Sequence, residues 1–257
     1  MIKIGGQVLD DEEMLRDVLR RFASLPGKKI LVHGGGKHAS RMAERLGLKI
    51  RLVNGRRVTD AATLQVAQMV YAGLLNTNIV AQLQALQVNA LGLTGADGNA
   101  IRSVKRPVGE VDFGFVGDVV AVNVAFLQTL LAQNWVPVFC ALTHDGHGQI
   151  LNTNADTIVS ELAVALSQRF ETELVFIFEK NGVLSDVSDE HSRIPKLTFE
   201  QYETLKSNGA FTDGMLPKLE NAFHSLRKGV RRVRILHALD LGSLNAEPHP
   251  GTILSME

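Results

Sequence analysis

Five side chains sit in settings that suit chemistry: Lys3, Arg57, Asn152, Asp156 and Lys218. Lys3 lies inside the apolar run Ile2-Lys3-Ile4, which ends in Gly5-Gly6. A second apolar run, Lys29-Ile30-Leu31-Val32-His33, feeds Gly34-Gly35-Gly36-Lys37 and then a helix-like pattern. A buried strand that ends in glycines and turns into a helix N-terminus presents backbone N–H groups with no side chain in the way. Such a place binds anions. Tight packing alone also produces Gly-rich turns, but a second turn of the same kind, with a lysine in its strand, favours the anion-binding reading. No nucleophile with a matching base accompanies these groups. Cations, amide donors and a carboxylate suit positioning and charge stabilisation, which is what phosphoryl transfer asks of a protein. Neither G-x-x-x-x-G-K-S/T nor the protein-kinase motif set occurs, so a phosphotransferase here needs another architecture.

The elements that must hold these residues alternate between apolar strands and amphipathic helices, the pattern of a largely parallel sheet covered by helices. Leu15, Val18, Leu19 and Phe22 follow the acidic start Asp10 to Glu13 at helical spacing. Ala39, Met42, Ala43 and Leu46 give the helix after the glycines its inner face. Asn54-Gly55 reads as a turn, and Thr59 or Asp60 caps a long helix to about Leu86, apolar over Leu64, Val66, Ala67, Val70, Leu74 and Leu75. Residues 101–123 read as a β-hairpin excursion. Asn152-Thr153-Asn154-Ala155-Asp156 is another polar strand-to-helix turn, Thr198 caps a short helix, and Pro217 sits near the first turn of another.

Composition narrows the function classes. The chain has 257 residues, enough for one large α/β domain or two closely packed lobes. Lys+Arg and Asp+Glu are both 27, a formal net charge of zero that argues against a nucleic-acid partner. Apolar runs are broken well before the ~18 residues of a membrane span, and no signal-peptide pattern opens the chain. The expectation is a cytoplasmic protein without a membrane partner. Cys140 is the only cysteine and reads as a buried structural thiol. His144, Asp145 and His147 suggest a metal, but an Asp-Gly turn between two strands explains that loop, and no protein metal site is expected.

The ordered set Ile2-Lys3-Ile4-Gly5-Gly6, Val32-His33-Gly34-Gly35-Gly36, Asn54-Gly55-Arg56-Arg57-Val58-Thr59, Asn152-Thr153-Asn154-Ala155-Asp156 and Thr212-Asp213-Gly214-Met215-Leu216-Pro217-Lys218 resembles the amino acid kinase family over essentially the whole chain. Within it, the likeness is to members that phosphorylate N-acylated glutamate. The resemblance implies an αβα sandwich with a mainly parallel central sheet and two lobes. Residues 1–150 would bind the acyl-glutamate and dimerise, and residues 151–257 would bind ATP. It implies transfer of the ATP γ-phosphate to the side-chain carboxylate of N-acetyl-L-glutamate, in arginine biosynthesis, with Mg²⁺ arriving on ATP and held by phosphate oxygens and water.

Residue by residue, Lys3 and Lys218 match the family's two transition-state lysines and Asp156 the aspartate that orients them. Gly35 and Gly36 match backbone donors around the substrate and the phosphoryl group. Arg57 matches the arginine that grips the α-carboxylate, and Asn152 a side chain on the bound amino acid. Gly5, Gly6, Glu179, Gly182 and Lys218 match the nucleotide side. Phe178-Glu179-Lys180-Asn181-Gly182 departs from the family's usual Ser/Thr-Asp-Val-x-Gly while keeping a carboxylate at Glu179. The basic segment Arg102 to Pro107 raises N-succinyl-L-glutamate as an alternative substrate, and a non-catalytic sensor of the same fold would keep the turns but lose the lysines. Arginine-regulated members carry an extra N-terminal helix that joins dimers into a hexameric ring. This chain starts on its first strand, so the expectation is a homodimer built around the long helix after Asp60, with little feedback inhibition by arginine.

Overall fold

The computed structural model describes residues 1–257 except Asn54, Val187, Glu190, Thr212, Asp213, Gly214 and Asn245. The Asn54-Gly55 turn and the Thr212-Asp213-Gly214 part of the last motif therefore lie outside the described residues. The fold is mixed α/β, as expected, with mainly parallel strand pairing. Among the described residues no helix is long and apolar enough to cross a membrane.

The chain divides into two compact units, one of Gly27–Ile158 and the other of Met1–Pro26 with Val159–Glu257. The sequence placed a single boundary at 150/151, whereas the contacts group the first 26 residues with the C-terminal part. Strand Ile2–Ile4 pairs in parallel with Val175–Ile177, a partner more than 170 residues away that no local pattern announces.

In the unit Gly27–Ile158, Leu31–Val32 and Ala90–Leu93 flank the strand Val136–Phe139, both in parallel. The near-complete burial of Leu31, Val32, Val138 and Phe139 suits parallel strands apolar on both faces. A second small sheet is ordered Ile150–Asn152, Leu142–His144, Ile101–Lys105, Gly117–Val122, so the excursion at 101–123 is the hairpin expected. The long helix forms three consecutive stretches, α-helical Ala61–Ala67, π-helical Gln68–Asn76 and α-helical Thr77–Ala85. Asp60 is its N-cap, accepting from the Thr63 N–H at 2.8 Å. Leu74 is 43% exposed and Leu46 54% exposed, against their expected inward positions. Leu74 is turned out by the π-helical register, and Leu46 lies one residue past Arg45, where its helix ends.

In the other unit the strand order is Lys196–Thr198, Thr252–Ser255, Arg232–His237, Glu173–Phe178, Ile2–Ile4. Every neighbouring pair is parallel except Arg232–His237 with Thr252–Ser255. Helix Glu12–Ser24 is capped by Asp11 and buries Leu15, Val18, Leu19 and Phe22, the stripe read from the sequence. Helix Phe199–Ser207 opens on a capping box between Thr198 and Gln201. Helix Leu216–Arg227 carries Pro217 in its first turn, where its missing N–H costs nothing.

Candidate active site

Strand Leu31–His33 delivers the chain into Gly34 and Gly35, and Gly35 is the N-cap of helix Gly36–Arg45 with no side chain closing the cap. The first N–H groups of that helix are thus offered to whatever anion arrives. Gly35 has φ +152°, and a Cβ there would lie 2.5 Å from Leu75 Cδ1 and 2.8 Å from Tyr71 Cδ1. Only glycine lets the turn lie so close to the long helix. Beside it, Arg57 Nη2 donates to the Gly36 carbonyl and to Ser40 Oγ, both at 2.8 Å. Arg57 Nη1 is buried and has no hydrogen-bond partner among the described residues. Half of a fork built for carboxylates is therefore spent on fixing the glycine turn while the other half remains to bind. Burial raises the Tyr71 phenol above its ordinary range, and the positive charge of Arg57 opposes that rise.

Thr59 joins Arg57 to Asn152. Its hydroxyl donates to the Arg57 carbonyl at 3.2 Å and accepts from Asn152 Nδ2 at 3.0 Å, and its backbone bonds Phe113 and Phe115. Gly114 has φ +70°, and any Cβ there would collide with the Thr59 carbonyl. With one amide N–H of Asn152 bound to Thr59, its second N–H and its carbonyl oxygen are the remaining contact groups. Asp156 is 7% exposed at the start of helix Ala155–Ser167. The cap of that helix is Asn154, whose Oδ1 accepts from the N–H groups of Asp156 at 2.7 Å and Thr157 at 3.2 Å. Capping therefore does not account for the Asp156 carboxylate. Two of the hairpin cations are engaged locally: Arg106 pairs with Asp118 and lies over Phe113, and Lys105 lies over Phe115.

In the other unit, Phe178, Glu179, Lys180, Gly182, Val183, Leu184, Ala210, Phe211, Met215 and Lys218 line a cavity of about 290 Å³. Three predicted nucleotide-side residues, Glu179, Gly182 and Lys218, meet there. Gly182 has φ +137°, and a Cβ on it would sit 2.6 Å from Thr252 Oγ1. That hydroxyl accepts from the Val183 N–H at 2.8 Å and donates to the Ile194 carbonyl at 2.6 Å, pinning the cavity wall. Phe211 stacks on Tyr202 at 5.8 Å, and Tyr202 packs on Phe223 at 4.8 Å. Lys218 stands in the first turn of its helix, where the macrodipole disfavours a cation by roughly 0.3–1 kcal/mol. Lys3, in strand Ile2–Ile4, is 6% exposed, an unusual burial for a lysine. Gly5 follows the same strand. Its N–H bonds the Ile177 carbonyl at 2.9 Å, and a Cβ on it would come equally close to that oxygen. Gly6 has open space above it.

The glycine-opened wall, the lysine and the cavity suit a nucleotide with its phosphates. Among the described residues that line the cavity, Glu179 is the one acid. Ser40 and Tyr71, which contact Arg57 and crowd Gly35, carried no motif signal, and Thr59 was read only as the end of its motif and as a helix cap. Asp145 Oδ1 accepts from the N–H groups of His147 and Gln149, so the His-Asp-His loop is shaped by an acid-centred turn.

An anion-ready helix N-terminus beside a half-committed arginine, and a lysine-bearing cavity on a second set of strands, are the equipment of a phosphotransferase with a parallel α/β fold. The chain belongs to the amino acid kinase family, whose model matches residues 1–237. It is 54% identical over 235 residues to the acetylglutamate kinase of Phocaeicola vulgatus, an alignment covering 91% of each chain. Its fold is similar to that of N-acetylglutamate synthase from Neisseria gonorrhoeae complexed with coenzyme A and N-acetyl-glutamate. There the TM-score is 0.83 at 22% identity, covering 100% of this chain and 59% of that one. It is also similar to carbamate kinase from Giardia lamblia bound to AMP-PNP, with TM-score 0.71 at 13% identity over 100% of this chain and 97% of that one.

Proposed function

We propose that this protein transfers the γ-phosphoryl group of ATP to the side-chain carboxylate of N-acetyl-L-glutamate, giving an acyl phosphate in arginine biosynthesis. The observation that supports the reading is Arg57, half-buried, with Nη2 on the glycine turn and a buried Nη1 that has no hydrogen-bond partner among the described residues; in this reading it grips the α-carboxylate. The relatives' name supplies the acyl-amino acid.

The division of labour follows the two units. Arg57 and Asn152 orient the substrate while the amides of Gly35 and Gly36 face the attacking carboxylate and the γ-phosphoryl group it receives as ADP leaves. Gly5, Gly6, Glu179, Gly182 and Lys218 hold ATP, and bound Mg²⁺ would neutralise phosphate charge. Lys3 and Lys218 stabilise the negative charge that grows on the equatorial oxygens, and Asp156 keeps the two ammonium groups oriented. These are interactions gained chiefly in the transition state, so they act on kcat.

The test is a hydroxylamine trap for acyl phosphate with ATP, Mg²⁺ and either N-acetyl- or N-succinyl-glutamate. Hydroxamate with the acetyl acid at the higher kcat/KM is expected, and its absence with every acid would defeat the proposal. The pairing of Arg106 with Asp118 takes one cation away from the succinyl alternative. The protein acts in the cytoplasm as a homodimer formed through the long helix, a reading supported by Met69 and Leu74, which it leaves 55% and 43% exposed. Light scattering giving a monomer mass would refute the dimer.

A further inference from the structure

Three consecutive glycines have no side chains with which to fix their own torsions, so an anion-binding turn made of them needs an outside support. Arg57 supplies one at Gly36. A second begins at Asn76, 4% exposed at the end of the π-helical stretch Gln68–Asn76. Asn76 Nδ2 lies 2.9 Å from the Val138 carbonyl and 3.0 Å from His33 Nε2. A carbonyl can only accept, which fixes the amide orientation and makes His33 Nε2 an acceptor too. The proton of the neutral ring is then on Nδ1, which donates to the Gly34 carbonyl at 2.8 Å. In a trans peptide the carbonyl of Gly34 and the N–H of Gly35 point opposite ways. Holding the one toward the imidazole aims the other away from it.

The helix geometry is what brings Asn76 to this place. Val70, Tyr71, Leu75 and Asn76 are buried while Leu74 is 43% exposed, a spacing of five between successive inward pairs. With i→i+4 bonding Leu74 would follow Val70 inward, and the i→i+5 bonding of a π-helix hands that place to Leu75 and Asn76. The Asn76 Oδ1 also fills the space over Gly92 that any side chain there would need.

We infer that Asn76 and His33 are positioning residues for phosphoryl transfer, a relay from the sheet to the glycine turn that keeps the Gly35 N–H aimed at the reacting group. The inference rests on the kinase reading above. His33→Asn places an amide near Nδ1 and can keep the bond to Gly34, whereas His33→Gln places it near Nε2 and keeps only the link to Asn76. In folded protein, His33→Gln and Asn76→Ala each lower kcat about tenfold or more, with KM for ATP and N-acetylglutamate held within about twofold, while His33→Asn stays within about threefold of the unaltered kcat. Unchanged kcat in Asn76→Ala and His33→Gln, or a loss confined to KM, overturns the inference. If Asn76→Ala does not fold, Gly92→Ala displaces the same amide by steric contact and carries the same expected loss; an unaltered kcat there would be equally fatal. The ¹⁵N resonances of the His33 ring give a readout independent of turnover. A proton on Nδ1 is expected, and one on Nε2 refutes the relay. Failure of the hydroxamate assay with every acid would sink the kinase reading and leave the ring tautomer to decide the relay.

Discussion

The glycine turn of the unit Gly27–Ile158 and the cavity of the other unit both suit anions, yet they are built differently. Around the turn, positions are set by a dense polar lattice: Arg57 to Gly36 and Ser40, Thr59 to Asn152, His33 to Gly34. Around the cavity the wall is largely apolar, with Glu179, Lys180 and Lys218 as its charged residues and one hydroxyl, Thr252, stapling its loop. A lattice of fixed donors discriminates among small acids, because a wrong partner leaves buried polar groups unpaired. An apolar slot with a lysine at its edge grips a flat ring and phosphates with less demand on detail. The contrast predicts that loss of a gripping donor at the turn falls on the KM of the amino acid and changes at the cavity on the KM of ATP or on the chemical step, whereas the His33–Asn76 relay, which aims the turn without gripping the substrate, falls on kcat.

Lys218→Ala is the severest break. Loss of a cation that meets the developing charge should reduce kcat about a thousandfold, roughly 4 kcal/mol, with the melting temperature nearly unchanged. Steady-state hydroxamate kinetics alongside a thermal melt decide it, and a loss of only a few-fold would remove Lys218 from the transition state. On the opposite side, Arg57→Ala should raise KM for N-acetylglutamate about a hundredfold, roughly 3 kcal/mol, and leave KM for ATP within about twofold. Arg57→Lys should recover only part of this, since an ammonium cannot serve Gly36, Ser40 and a carboxylate with a planar fork. Equal rises in both KM values would erase the contrast.

The lattice also has a pH signature. Burial pushes the His33 pKa down from 6.5 to about 4, only partly offset by the bond to the Gly34 carbonyl. A histidine held neutral in the folded chain binds fewer protons than in the unfolded one. Its contribution is therefore complete above pH 6.5 and is lost as pH falls toward 4, about 3 kcal/mol in all. Denaturant titrations across that window should show this slope in the unaltered protein and not in His33→Asn. Equal slopes would mean that His33 is not the buried neutral group described here.

How far the sequence could be read follows from the range of the signals. Strands such as Glu173–Phe178 and helices such as Glu12–Ser24 are legible because apolar period and caps are local. The glycine-to-helix turn at Gly35 was legible as a turn for the same reason. Long-range partnership was not: Arg57 holds Gly36 across 21 residues from a two-residue strand, and Ile2–Ile4 joins the far end of the chain. The π-helical stretch was also invisible, since one extra residue per turn shifts an apolar stripe too little to separate it from an α-helix over two turns. A helix cap is the ordinary role for an aspartate at a strand-to-helix turn, yet Asn154 takes that role and leaves the Asp156 carboxylate to another.

The smallest effect probes the cavity where it is least forgiving. Thr252→Val keeps the shape of the side chain but removes the hydroxyl that bridges the Val183 N–H and the Ile194 carbonyl. Both groups lose their partner inside the protein, which should cost about 2 kcal/mol in a denaturant titration. Gly182 packs directly on this hydroxyl, and Val183 lines the cavity, so the freed loop should raise KM for ATP by about threefold while KM for N-acetylglutamate stays put. Thr252→Ser restores the bridge without the methyl and should return KM for ATP to its starting value. A shift in the acyl-glutamate KM instead would show that the two sites share one support, and the difference between polar lattice and apolar slot would lose its functional meaning.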